Sequence, residues 1–153
     1  MLTQRAKYGL RALCILAADD TGRAILPIHE LAERGHIPQK FLEAILLDLR
    51  RHGFVTSRRG KAGGYALARS AEEIAVSDII RALDGPLAPI PCASLTAYRP
   101  CADCPDPATC EIRRLMREVR DATARILDGT KLATLAHADA GHGFDMASER
   151  GLA

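Results

Sequence analysis

Residues 38–67 read PQKFLEAILLDLRRHGFVTSRRGKAGGYAL, and this stretch predicts a helix followed directly by a β-hairpin. Pro38 suits the first position of a helix, and apolar residues then recur at three- and four-residue spacings until Gly53, where we expect the helix to end. A β-prone run follows, then the glycine-rich stretch 60–64, then a second β-prone run. The order strand, glycine-rich turn, strand is typical of a hairpin.

The residues ahead of this stretch predict a helix-turn-helix. A short helix fits residues 28–34, with Gly35 as its C-terminal cap, and the link 35–37 leads into the next helix. Two short helices joined by so tight a turn have the helix-turn-helix layout, and a hairpin directly after them is a wing. A longer helix capped by Thr3 precedes them and runs to about Asp19.

The residues after the hairpin predict further helices with an irregular loop between them. Ser77 is expected to cap a helix that ends near Leu83, and Thr130 a last short helix that ends near Ala136. Six prolines make the intervening loop irregular. The fold class is therefore mainly α with a small β-hairpin wing. The predicted parts are a winged helix-turn-helix domain over 1–84, a cysteine-rich loop over 85–108, a long dimerisation helix with a short C-terminal helix over 109–136, and a disordered tail over 137–153.

The predicted long helix carries an apolar face that one small domain leaves uncovered. Its members recur at near-heptad spacing and are Ile112, Leu115, Met116, Val119, Ala122 and Ile126. Arginines occupy the other faces. A second copy of the same helix is the simplest cover for such a face, so we expect a homodimer.

The chain has 153 residues, of which 48% are hydrophobic and 26% charged, which is the balance of a globular domain. Its apolar runs are far too short to cross a bilayer, and no signal-peptide apolar region can be placed at its start. We therefore expect a cytoplasmic protein with no membrane partner. Residues 1–75 hold 12 Lys or Arg against 8 Asp or Glu, whereas residues 76–153 hold 9 against 11. A nucleic-acid footprint and a solvated face explain this bias equally well.

The helix-turn-helix and its wing together predict binding to double-stranded DNA. A recognition helix presents its N-terminal residues to base edges in the major groove, and wing cations meet phosphates or enter the minor groove. A glycine pair keeps the hairpin thin enough to approach the DNA backbone. The alternative is a protein-interaction module whose cations are simply solvated. The candidate DNA-contacting residues are Gln39, Lys40, Phe41, Glu43, Arg58, Arg59, Lys61, Gly63 and Gly64.

Four of the five cysteines fall within 19 residues, and the fifth, Cys14, lies on the apolar stripe of the first helix. The four are Cys92, Cys101, Cys104 and Cys110. In a reducing cytoplasm such a group binds metal or senses redox state more often than it forms structural disulfides. Three interpretations stay open: an iron–sulfur cluster, a zinc site, and a reversible disulfide.

No residue set in the sequence predicts an enzyme. The histidines lack a neighbouring nucleophile. The glycine-rich turn lacks both the residue order and the strand-to-helix context of a phosphate-binding loop. An iron–sulfur electron carrier is a further hypothesis, but no flavin or haem site accompanies the cysteines.

The motifs quoted so far, together with Tyr8-Gly9-Leu10, Phe41-Leu42-Glu43 and above all the wing motif over 59–67, resemble the Rrf-type (Rrf-two) bacterial regulators, the IscR-, NsrR- and RirA-like proteins. The resemblance covers about residues 1–136. It implies a winged-helix homodimer that binds palindromic operators, and a [4Fe–4S] or [2Fe–2S] cluster in the cysteine loop. It also implies a transcription regulator, which we expect to be a repressor, that senses iron, cluster status, nitric oxide or redox state.

The chain departs from the family pattern at two positions. Cys92, Cys104 and Cys110 match the family's three cysteines, whereas Cys101 is additional. Lys7 stands where some relatives supply a carboxylate from the partner subunit as a fourth ligand. We therefore expect Cys101 to replace that ligand and complete a four-thiolate site, with zinc as the alternative occupant.

Overall fold

The computed structural model describes residues 2–19 and 25–138, and within them the regular structure is six α-helices and one antiparallel hairpin. The elements are α1 (Gln4–Ala18), α2 (Ile28–Gly35), α3 (Gln39–Arg51), β1 (Val55–Arg58), β2 (Gly64–Leu67), α4 (Val76–Asp84), α5 (Glu111–Gly129) and α6 (Leu132–Ala138). A short 3-10 turn, Pro91–Ala93, interrupts the long loop between α4 and α5. The predicted fold class, mainly α with a hairpin wing, is confirmed.

The core lies where α1 meets α2, α3, α4 and α6. As the sequence predicts, α1 begins after Thr3, whose Oγ1 accepts a hydrogen bond from the Ala6 amide at 3.2 Å. Leu13 of α1, Leu46 of α3 and Ile79 of α4 are fully buried together. The removal of the apolar core side chains from water is the main stabilising contribution to the domain.

The turn between α2 and α3 differs by one residue from the prediction. The cap is His36, which adopts a left-handed conformation with φ of 49°, whereas Gly35 is the last helical residue. A Cβ atom at Gly35 would lie 2.9 Å from Cδ1 of Ile37. The glycine therefore makes room for the buried Ile37 side chain, and the exposed His36 makes the turn.

The hairpin pairs residues 55–58 with residues 64–67 and is anchored to the chain ahead of α2. Leu26 and Tyr65 exchange two backbone hydrogen bonds of 2.9 and 2.8 Å. A Cβ atom at Gly64 would lie only 2.2 Å from the Leu26 carbonyl oxygen. Glycine at this position therefore lets the wing join the rest of the domain.

Two helix caps also differ from the prediction. Ser77 is not the cap of α4: it is fully buried within the first turn, and α4 begins at Val76. The Val76 amide donates to the carbonyl of Thr130 at 2.9 Å. A residue far along the chain therefore accepts the hydrogen bond of the first amide of α4. Thr130 closes α5 instead of opening α6, since its hydroxyl donates to the Ile126 carbonyl at 2.8 Å.

The last helix, α6, packs back onto the winged domain. Leu132 is fully buried in the core, and its amide donates to the Ile74 carbonyl at 2.9 Å. The helix runs through Ala138, and the remainder of the tail predicted to be disordered lies outside the described residues. In the part of the chain that the structure describes, no helix is both long and apolar enough to span a membrane.

Candidate nucleic-acid interface and cysteine centre

The start of α3 and the wing present most of the candidate DNA-contacting side chains to solvent. Those at the start of α3 (Gln39, Lys40, Phe41, Glu43) and the wing cations Arg58, Arg59 and Lys61 are all exposed. A groove of about 430 Å³ runs between the wing, the start of α2 and the end of α3. The three wing cations line it, and they therefore concentrate positive charge along one surface.

Contacts inside the domain explain why Gly63 and Gly64 of the wing are glycines. Gly64 is buried against Leu26, and a Cβ atom at Gly63 would lie 2.3 Å from the carbonyl oxygen of Arg58. Whether they also let the wing approach DNA closely stays a prediction.

Contacts within the protein orient the first turn of α3. The Gln39 side-chain amide donates to the Glu43 carboxylate at 3.4 Å. Phe41 packs edge-on against Tyr8 of α1, with ring centroids 5.7 Å apart. The Arg11 guanidinium lies 5.8 Å from the Tyr8 ring centroid on the same helix. Phe41 thus ties the start of α3 to α1 and orients the helix.

Sequence reasoning missed Arg50 and His29, which line the same groove as the wing cations. Arg50 Nη1 donates to Oγ of Ser57 at 2.9 Å and so ties the end of α3 to β1. Both residues lie outside the two regions that the sequence predicts to face DNA, the start of the recognition helix and the wing. The signal available was the basic last turn of α3 directly ahead of a basic hairpin.

The cysteines of the loop stand as free thiols in two pairs. In the first pair, Sγ of Cys101 lies 3.8 Å from Sγ of Cys92. Cys92 is buried in the 3-10 turn, with 5% exposure, whereas Cys101 is exposed. The hydrogen bond with Cys92, together with repulsion between the thiolate forms, raises the pKa of the Cys101 thiol.

The second pair is formed by Cys104 and Cys110. Cys110 is the N-cap of α5, and its Sγ accepts a hydrogen bond from the Arg113 amide at 3.4 Å. Partial removal from water raises the pKa of the Cys104 thiol, and the neighbouring Cys110 raises it further. The structure therefore brings all four predicted cysteines into one loop region at the start of α5.

The donor chemistry suits a thiolate-bound cluster or ion, although the four thiols are not gathered round one point. Within the described residues, no three His, Cys, Asp or Glu side chains form a ready set of metal ligands. The Cys92–Cys101 separation of 3.8 Å nevertheless matches two thiolates bound to one tetrahedral ion at about 2.3 Å, which lie about 3.8 Å apart. One pair is thus close to ligand geometry, and loop movement is needed to gather the rest.

One hydrogen bond and one ion pair connect the cysteine loop to the winged domain through α5. Arg120, which is only 7% exposed, donates to the Ala93 carbonyl and to the Asp121 carboxylate. At the other end of α5, Nη1 of Arg81 lies 2.9 Å from Oδ1 of Asp128. The Ser77 hydroxyl and the Arg81 guanidinium beside Asp128 lower the pKa of that carboxyl group.

The apolar face of α5 is open in the single chain. Its large side chains are exposed, to 67% for Ile112, 54% for Leu115, 42% for Val119 and 68% for Ile126. Monomeric proteins rarely leave such a stripe uncovered.

These features agree with a comparison of the whole chain against protein families. The model of the Rrf2 family, described as iron-dependent transcriptional regulators, matches residues 2–138. The chain belongs to the Rrf2 family. The resemblance to this family, expected over about residues 1–136, is therefore confirmed.

Other Rrf2-family proteins resemble this one in sequence and structure. An Rrf2-like HTH-type regulator of Rhodobacter capsulatus is 48% identical over 122 residues, which cover 78% of this chain and 81% of that protein. The structure of CymR, the global cysteine regulator of B. subtilis, is 31% identical with a TM-score of 0.73 and covers 90% of this chain and 97% of that one. T. potens IscR is 26% identical with a TM-score of 0.71, over 93% and 91% of the two chains. The family and these relatives are transcription regulators and not enzymes.

Proposed function

We propose that this Rrf2-family protein is a repressor that binds palindromic operators as a homodimer and whose affinity for DNA is set by an iron–sulfur cluster. The ligands are Cys92, Cys101, Cys104 and Cys110. The observation that carries the proposal is that these four free thiols share one loop, which packs on the helix that leads back to the winged domain.

The exposed start of α3 and the wing support DNA binding. Gln39 has the donor and acceptor groups to pair with adenine in the major groove, and Lys40 can donate to guanine or to phosphate. Arg58, Arg59 and Lys61 line one groove, where each can neutralise a phosphate.

The open apolar face of α5 supports the dimer. Two copies of α5 packed through Leu115 and Val119 would cover the exposed stripe. A dimer also carries two recognition helices at a fixed separation, and such an arrangement reads two half-sites of a palindrome.

The donor set and the family support iron. Thiolates are the usual ligands of iron–sulfur clusters, and the matching family is described as iron-dependent. A bound cluster would supply redox chemistry and reactivity toward oxygen or nitric oxide. The residues of this chain would supply the thiolates and connect the loop to the DNA-binding face.

The connection proposed here runs through α5. Arg120 holds the Ala93 carbonyl beside Cys92, and Asp128 holds Arg81 of α4. Since α4 packs on both α1 and α3, a rearrangement of the loop would displace α5 against α4 and reorient the recognition helix. Such a displacement would couple the cysteine loop to the DNA-binding face. Coupling between two sites typically changes binding affinity by roughly 5- to 150-fold.

The close approach of Cys92 and Cys101 favours a second candidate, a reversible disulfide switch. Two thiols would lose two protons and two electrons to form one disulfide, while a peroxide oxidant is reduced to water or alcohol. The similarity to CymR, whose structure is described as that of a global cysteine regulator, is compatible with such thiol sensing. A structural zinc on the same thiolates is the third arrangement to test.

Anaerobic purification followed by iron, acid-labile sulfide and zinc analysis distinguishes the iron–sulfur cluster, the structural zinc and the disulfide switch. We expect comparable amounts of iron and sulfide with visible absorbance that bleaches in air or nitric oxide. A protein that contains zinc and no iron would contradict the cluster and support a structural zinc site. A metal-free protein that forms a Cys92–Cys101 disulfide with peroxide would establish the thiol switch instead.

A further inference from the structure

Arg113, in the first turn of α5, contacts four residues spread along the cysteine loop. Its Nε donates to the Cys92 carbonyl at 2.9 Å, and its Nη1 donates to the Pro107 carbonyl at 3.3 Å. Its backbone amide donates to Sγ of Cys110 at 3.4 Å. Its guanidinium carbon lies 5.7 Å from the ring centroid of Tyr98.

These contacts join segments that are far apart along the chain. Cys92 lies 21 residues before Arg113, whereas Pro107 lies six residues before it. Tyr98 is close in sequence to Cys101, and Pro107 lies between Cys104 and Cys110. One side chain therefore contacts the segment between the members of each thiol pair, at Tyr98 and at Pro107.

We infer that Arg113 is a positioning residue that holds the loop in the arrangement from which the four thiols bind their cluster. The inference rests on the function proposed above. It extends that function, because Arg113 is not one of the expected ligands. Ordering the loop in advance lowers the conformational entropy lost when the thiolates close on a metal group.

The chemistry of this site calls for arginine and not for a cation in general. A guanidinium presents several N–H donors in a rigid fork and can bond two carbonyls while it stacks on an aromatic ring. A lysine ammonium is a compact charge without that planar fork. Arg113→Lys therefore keeps the charge near the thiols and loses the geometry.

The neighbouring Arg114 provides a matched control. It has the same chemistry and is exposed at the next position of α5. Arg113 and Arg114 together line a second groove, beside Pro107 and Cys110. Arg114→Gln removes the same charge from the same helix turn. Any effect of charge loss alone should therefore be shared by Arg113→Gln and Arg114→Gln.

The first readout is the alkylation rate of Cys92 in the metal-free, reduced protein, measured by mass spectrometry after timed exposure to iodoacetamide. Cys92 is buried in the wild-type protein, so its rate reports opening of the loop. We expect about a tenfold or larger increase in both Arg113→Gln and Arg113→Lys, since charge-assisted hydrogen bonds are lost, and no increase in Arg114→Gln.

The second readout is the rate of cluster loss in air after anaerobic reconstitution. We expect faster loss in both Arg113 variants than in the wild type and Arg114→Gln. Unchanged Cys92 alkylation in both Arg113 variants, or wild-type behaviour of Arg113→Lys, would overturn the positioning role. If the wild type itself takes up no iron and sulfide, the proposed function fails, and the alkylation rates still decide the role of Arg113.

Discussion

Arg59 and Lys61 lie exposed on the turn of the wing, next to the groove that also contains Arg58. A side chain that neutralises one phosphate contributes about one unit to the dependence of log affinity on log salt concentration. Arg59→Ala should therefore weaken binding to all operator variants by a similar factor and lower the salt slope by about one. Fluorescence anisotropy at several salt concentrations measures both effects.

Two variants make this test specific. Arg125→Ala removes an exposed arginine of α5, outside the winged-helix face, and should leave the slope unchanged. Gln39→Ala should instead alter the preference among operator variants, by about 1–3 kcal/mol at each base pair that Gln39 reads. The interpretation of this face is wrong if neither Arg59→Ala nor Gln39→Ala affects binding.

The exposed Cys101 thiol next to buried Cys92 leads to a prediction about cluster lifetime. A cluster iron without its fourth protein ligand would be more open to solvent. Cys101→Ser should therefore keep the fold and dimer but lose its cluster sooner in air. Cys92→Ser and Cys110→Ser should abolish loading, because each removes one of the three cysteines that match the family pattern. Visible absorbance after anaerobic reconstitution, followed in air, measures this.

The competing account makes Cys101 a nearby thiol that only caps an oxidised form. Full cluster occupancy and an unchanged lifetime in Cys101→Ser would support that account and exclude Cys101 as a ligand.

At the residue level, the sequence predicted that the four cysteines share one loop and that the wing presents cations, because clustering and charge are local properties. It could not predict that Cys92 pairs with Cys101 or that Arg113 bonds the Cys92 carbonyl. Those contacts depend on how the loop folds over the start of α5. Proline content indicates an irregular loop without specifying its path.

At the level of elements, the wing depends on the close approach between β2 and the residue ahead of α2. A Cβ atom at Gly64 would lie 2.2 Å from the Leu26 carbonyl oxygen, so Gly64→Ala must displace one backbone from the other. We expect a loss of about 1–3 kcal/mol in the free energy of unfolding, measured by urea denaturation monitored by circular dichroism.

Gly60→Ala is the matched control in the same hairpin. Gly60 also has a positive φ, of 106°, but a Cβ atom there would meet nothing within 4 Å. Gly60→Ala should therefore lower the free energy of unfolding only through backbone strain, by about 1 kcal/mol. Equal destabilisation by the two substitutions would contradict the contact with Leu26 as the reason for glycine.

The elements predicted best were those with strong local signals. The span of α3 was predicted from its apolar periodicity and from Pro38, and α1 from its cap at Thr3. The caps proposed at Ser77 and Thr130 were wrong. The distant Thr130 carbonyl accepts the first amide of α4, and the Thr130 hydroxyl bonds the Ile126 carbonyl at the end of α5. A capping signal read from sequence assumes a local partner, and for α4 the partner lies far along the chain.

At the level of the whole molecule, the open stripe of α5 predicts that two copies associate. Val119 lies near the middle of that stripe, and a carboxylate there would be buried without a partner. Val119→Glu should yield a monomer with much weaker binding to a two-half-site operator. Sedimentation velocity of the metal-free protein measures the assembly state.

Arg117→Glu introduces the same side chain on another face of α5 and should leave the dimer intact. A dimeric Val119→Glu protein would refute this placement of the interface.

The overall arrangement was predictable only in part. The sequence grouped α6 with the long helix, whereas Leu132 is buried in the core of the winged domain beside α1. An amphipathic pattern shows that a helix has a buried face but not which neighbour buries it. The chain therefore leaves the core after α4 through the cysteine loop and returns to it along α5 into α6.

We propose that the state of the cysteine loop sets the affinity for DNA. Operator affinity is to be measured anaerobically for the cluster-loaded and the cluster-free wild-type protein, with Cys92→Ser as the unresponsive control. We predict a change of roughly 5- to 150-fold between the two wild-type forms and none on the same treatment of Cys92→Ser. Equal affinities for the loaded and cluster-free wild type would contradict the account.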